Sequence, residues 1–93
     1  MAELEVNVVA ADRSIWSGRA RQVSAPSADG QIGILVGHTP VLAVLRDGTI
    51  RVSTPAGETL SWTVSGGFLS VDSDQVTVVV DSVEATTTGR ADR

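Results

Sequence analysis

The chain has no cysteine, no tyrosine and no lysine. Without cysteine there is no disulfide framework, no thiolate metal site and no cysteine nucleophile. Aromatic side chains are scarce: Trp16, Trp62 and Phe68 are the whole set. The core must therefore come from Val, Ile and Leu, and a ligand cleft walled by exposed rings is hard to build. Basic charge is short as well, since seven arginines against 11 acidic residues leave a net charge of −4. Nucleic-acid binding needs a basic face, and attachment to anionic lipid needs a polybasic one, so neither is expected. No apolar run approaches the ~18 residues of a membrane span. The opening MAELEVNVVAADR carries acidic residues where a secretory leader is basic, and no leader is expected.

What is present is alternation. The 93 residues suffice for one domain, and 42% hydrophobic with 19% charged residues is a globular composition. In TLSWTVS, Leu60, Trp62 and Val64 share one face while Thr59, Ser61, Thr63 and Ser65 take the other. ELEVNVVA places Leu4, Val6, Val8 and Ala10 together, TIRVST pairs Ile50 with Val52, and QVTVVVDS groups Val76, Val78 and Val80. Period two with β-branched residues means half-buried strands. No window has a helical period. Turns are expected at Asp12-Arg13, Asp29-Gly30, Asp47-Gly48, Pro55-Ala56-Gly57 and Asp72-Ser73-Asp74. This spacing predicts an all-β sandwich or barrel. SIWSGRARQVSAPS reads as a strand interrupted near Gly18 by a bulge or bend. The last strand is expected to end near Val83, and EATTTGRADR reads as a polar tail.

Motifs that carry chemistry are few. His38 is the only histidine, and no Gly-x-Ser-x-Gly nucleophile elbow accompanies it. Scattered acidic residues around Asp72 and Asp74 lack the pattern of a calcium loop. GQIG and SGG are followed by no helix that would bind phosphate. No catalytic residue, metal site or cofactor is expected. The informative stretch is GQIGILVGHTPVL, Gly30 to Leu42, where Gly37 and Pro40 should keep apolar Val36, Val41 and Leu42 out of regular pairing. Two readings of those side chains stand on residues alone. They face a partner, or they fold under the sandwich and cap its core.

The order of motifs closely resembles the epsilon subunit of bacterial F-type ATP synthases, called delta in mitochondria. The residues are Gly30, Ile32, Gly33, Ile34, Gly37, His38 and Pro40, then Gly48, Ile50, Arg51 and Val52, then Gly66, Gly67, Phe68, Leu69 and Val71, then the run Val76 to Val80. SIWSG, Ser14 to Gly18, is similar to an early segment of the family. The resemblance implies an all-β, flattened β-sandwich of about ten short strands over residues 1–84; residues 85–93 read, from their own composition, as a polar, disordered tail. It implies a non-catalytic rotor subunit of the central stalk. Such a subunit joins gamma to the c-ring and couples proton translocation to ATP synthesis. It sits peripherally at the cytoplasmic face of the bacterial membrane, with no cofactor and no insertion. By the same resemblance Gln31, His38, Thr39, Pro40, Val41 and Leu42 are interface residues toward the c-ring and gamma. Gln31 stands where members often have an acid, and Val36 where they have proline. The family's C-terminal helical hairpin has no counterpart in the sequence, so no hairpin-type inhibition of hydrolysis is expected. A free-standing β-sandwich module for a small ligand or peptide is the competing reading.

Overall fold

A computed structural model describes residues 3–10, 13–81 and 83–90. Eight strands account for most of them: β1 (Leu4–Ala10), β2 (Arg13–Ala20), β3 (Gln22–Ser27), β4 (Gly30–Leu35), β5 (Val41–Ser53), β6 (Glu58–Asp72), β7 (Gln75–Val80) and β8 (Val83–Arg90). The hydrogen-bonded order is β2-β1-β7-β6-β5-β3-β4, with β8 added on β6. All pairs are antiparallel except β1 with β7.

Two strands are long because they serve both layers of the sandwich. The first part of β5 and the last part of β6 pair from Val41↔Val71 to Leu45↔Gly67, and this part of β6 also holds β7. Beyond the corner the same two strands pair from Asp47↔Ser65 to Ser53↔Thr59. There β5 holds β3 and β6 holds β8. Counted by layer, the eight strands give five segments to each, which is the ten-stranded arrangement expected. The burial parity changes at the corner. Leu45 is buried before it on β5 and Ile50 and Val52 after it; Trp62 and Val64 are buried before it on β6 and Leu69 and Val71 after it.

Alternation predicts most of the core. Leu4, Val6 and Val8 of β1, Leu69 and Val71 of β6, and Val76, Val78 and Val80 of β7 face Val23, Ala25, Ile34, Ile50, Val52, Trp62 and Val64, all essentially inaccessible. Each large aliphatic contributes on the order of 1.5–3 kcal/mol by leaving water. Trp16 on β2 meets Trp62 on β6 with ring centroids 5.9 Å apart, tilted by 45°.

Several local expectations are corrected. Asp47-Gly48 is not a turn; both residues lie within β5 at the corner. The irregularity in β2 falls at Ile15, between the pairs Val8↔Trp16 and Val9↔Ser14, and not at Gly18. The chain breaks at Arg21, whose N–H donates to the Ser53 carbonyl at 2.8 Å. Gly18 leaves room for the Trp16 ring: a Cβ there would lie 2.7 Å from it, so the ring would have to shift. The tail expected from residue 85 is instead strand as far as Arg90, with backbone pairs from Val64↔Val83 to Glu58↔Arg90. Pairing with a free strand edge needs backbone groups, not an apolar face, and threonine suits an extended backbone. Residues 91–93 and Asp12 lie outside the described residues. The turns at Asp29-Gly30, residues 54–57 and residues 73–74 form where expected.

Candidate functional site

At the end of the layer formed by β1, β7, β6 and the start of β5, the chain leaves β4 and crosses to β5 through residues 36–40. The His38 N–H donates to the Leu35 carbonyl at 3.1 Å, which closes a four-residue turn. Gly37 sits at φ +86°, and Val36 keeps a negative φ, so the turn is type II and needs glycine at its third position. Histidine follows directly. Its ring Nδ1 lies 2.6 Å from the Thr39 carbonyl oxygen. A carbonyl only accepts, so Nδ1 carries the proton, and Nε2 is the ring's remaining acceptor when neutral. Thr39 and Pro40 are exposed and His38 is half-buried.

Val41 and Leu42 are not kept out of regular pairing: they face Val71 and Ser70 in the β5–β6 ladder. Val41 packs against the core. Leu42 and Val36 face outward, at 72% and 38% exposure. Gln31 is exposed on β4 and shares a groove of about 460 Å³ with Val41, Leu42 and Val44. The structure thus brings Gln31, Val41 and Leu42 to one surface, and it places His38, Thr39 and Pro40 on the loop beside it.

The motif reading missed the outer face of this layer. Val44 and Phe68 are cross-strand partners, 66% and 43% exposed, and the row continues through Val79 to Val9. Leu42 lies two residues before Val44 on the same side of β5. Its signal was in the sequence: VLAVL and GGFLSV carry apolar residues at both parities, and one parity of a two-layer strand has to face outward. Past Phe68, an open groove of about 800 Å³ runs along the corner between Leu45–Asp47, Ser65–Gly67 and Asp81.

Comparison with known proteins identifies the family. Residues 3–86 match the family described as ATP synthase, Delta/Epsilon chain, beta-sandwich domain. The ATP synthase epsilon chain of Micrococcus luteus is 54% identical over 82 residues, spanning 88% of this chain and 90% of that one. The ATP synthase epsilon chain of Streptomyces griseus is 43% identical over 83 residues, 89% of this chain and 67% of its own length. In the mitochondrial ATP synthase of Euglena gracilis (OSCP/F1/c-ring, rotational state 1), one chain superposes with a TM-score of 0.84 at 21% identity. The match covers 90% of this chain and 54% of that one, a likeness of fold. By sequence over almost its whole length, and by the sandwich described above, the chain belongs to the delta/epsilon family of ATP synthase subunits.

Proposed function

We propose that the chain is a non-catalytic subunit of the central stalk of a rotary ATP synthase. It holds gamma and rests on the c-ring, at the cytoplasmic face of the bacterial membrane, as part of the coupling between proton translocation and ATP synthesis. Family membership supports the assembly. The observation that carries the contact surface is the strip Leu42, Val44 and Phe68, exposed on the outside of an otherwise well-filled sandwich. Apolar side chains grouped this way on a small domain mark a protein contact. The strip begins at the foot of the loop that holds His38, so face and loop make one continuous surface.

Within that surface the division of labour follows from chemistry. The Leu42–Val44–Phe68 face suits an apolar protein partner, and we assign it to gamma. Gln31, His38, Thr39, Pro40 and Val41, with Leu42 at the boundary, form the end directed at the polar loops of the c-ring. Gln31 contributes an amide where a carboxylate would contribute charge. The contact at that end is therefore expected to depend little on ionic strength.

The experiment is to tag the chain in its own cells, extract membranes in mild detergent and identify what co-purifies. Recovery of gamma, the c-ring, alpha and beta supports the proposal; recovery of the chain alone favours the free-standing binding module. In the same preparation, Phe68→Asp should weaken retention on gamma by about tenfold or more, since a desolvated carboxylate at a contact centre costs on the order of 2 kcal/mol. Its melting midpoint should stay close to that of the parent chain because Phe68 already faces outward. Undiminished retention of Phe68→Asp would place gamma on another face.

A further inference from the structure

The β6–β7 turn holds two non-glycine residues at positive φ, Ser73 at +52° and Asp74 at +63°. Asp72 pairs with Gln75, so these two make up the whole connection. Positive φ at both positions is the type I′ geometry, for which Asn-Gly is the favoured pair. Ser-Asp is a poor choice for the turn itself. Asp74, however, is engaged at two other points. Its carbonyl accepts the Glu5 N–H at 2.9 Å, which ties the turn to β1. Its side-chain Oδ1 accepts the Gly37 N–H at 2.8 Å, across 37 residues of sequence.

The second contact reaches the loop of the proposed interface. In a type II turn the amide at the third position is not used by the turn's own hydrogen bond. Here that amide belongs to Gly37, and it meets a carboxylate, an acceptor stronger than a neutral one. The hydrogen bonds of His38 stay local, to Leu35 and Thr39. Among the described residues, the Asp74 carboxylate is what fastens the turn at residues 36–37 to a different part of the sheet. Val36, unlike a proline, leaves its own φ free to vary.

We propose that Asp74 is a positioning residue for the loop at residues 36–40: its carboxylate holds the loop in one conformation before the partner arrives. Ordering that would otherwise be lost from the binding free energy is then already in place. This inference rests on the loop being a contact surface, as proposed above.

The test uses the full chain in three forms. Asp74→Gly removes the carboxylate while giving the turn its preferred residue, so the fold survives. Asp74→Asn keeps an oxygen acceptor. Val36→Pro added to Asp74→Gly restricts the second residue of the loop turn, where proline is favoured, without restoring the hydrogen bond. Two quantities are read: amide hydrogen exchange at Gly37 by NMR in the isolated chain, and binding to ATP synthase membranes stripped of their own epsilon chain. In Asp74→Gly, exchange at Gly37 should rise about tenfold and binding should weaken about five- to tenfold. Asp74→Asn, which keeps an acceptor but loses its charge, should fall between the parent and Asp74→Gly on both. The double variant should recover most of the binding while Gly37 still exchanges fast. Unchanged Gly37 protection in Asp74→Gly overturns the proposal. So does fast exchange with undiminished binding, or an asparagine variant that retains no more than Asp74→Gly on either quantity. His38→Ala and Leu42→Asp, measured alongside, test the contact itself: if they bind as the parent does, the interface reading fails independently of what Asp74 does to the loop.

Discussion

Gly67→Ala should remove a large part of the domain's stability. A Cβ built at this position would lie 1.9 Å from the Val79 carbonyl oxygen and 2.8 Å from the Val80 Cα, and both atoms belong to the backbone of a paired strand. Neither can swing aside as a side-chain tip could. The φ of +137° adds a conformational cost of about 1–3 kcal/mol for any residue with a Cβ. Separating β6 from β7 at Gly67↔Val80 would also disturb the ladder that places Leu69 and Val78 in the core. A total of about 3–5 kcal/mol is expected, against the ~5–15 kcal/mol of a typical native domain. Urea unfolding followed by tryptophan fluorescence measures it. Gly33→Ala is the matched control: it lies in β4, has no positive φ, and its Cβ would meet nothing within 4 Å. That variant should unfold within about 0.5 kcal/mol of the parent or slightly above it. If Gly67→Ala behaves like Gly33→Ala, the two backbones do not approach as described.

Trp62→Ala is the second large effect. Trp62 is 2% exposed, and it is the bulkiest member of a core otherwise made of aliphatic side chains. Its neighbours are strand residues held by backbone pairing on both sides, Ile50 on β5 and Thr86 on β8, so the sheet has little freedom to close on the space left. Truncation should cost about 3–5 kcal/mol, near the upper range for core deletions. Trp16→Ala should cost less because Trp16 is only half-buried. Part of both losses is the shared ring contact. A double-mutant cycle on the two tryptophans should therefore return a coupling of about 0.5–1.5 kcal/mol. A coupling of zero would mean that the rings pack against others and not against each other.

Much of this could be read directly from the residues, and the reason is specific. A strand that stays in one layer writes its buried face at every second position. TLSWTVS up to Val64 and QVTVVVDS up to Val80 do so: the structure buries Trp62, Val64, Val76, Val78 and Val80, and packs half-buried Leu60 against them. The reading failed where a strand changes layers. Asp47-Gly48 has the composition of a hairpin turn, yet here it lets β5 continue past a corner while its burial parity reverses. Composition describes what the backbone can do at such a pair and not which neighbour it will meet. β8 was missed for a related reason. Polarity alone suggested a tail, but a strand on an edge is stabilised by its ladder, which side-chain pattern does not record. At the candidate site, Gly37, His38 and Pro40 mark the loop by their types. Phe68 and Val44 stand at the outward parity of their own segments, and register adds that they lie side by side; Asp74 becomes visible only when folding brings it to Gly37, 37 residues away.

The parallel pair β1–β7 bears on how the chain is made. Glu5 pairs with Gln75 and Ala10 with Val80, so β1 leaves the ribosome about 70 residues ahead of its inner neighbour β7. Until then β1 has only β2 beside it, a lone hairpin of marginal stability with Leu4, Val6 and Val8 uncovered. The domain closes late and through contacts of long sequence separation, the kind that form slowly. A chain released before residue 80 would lack the strand against which β1 is built, so incomplete products would present an apolar edge for chaperones or proteases to recognise.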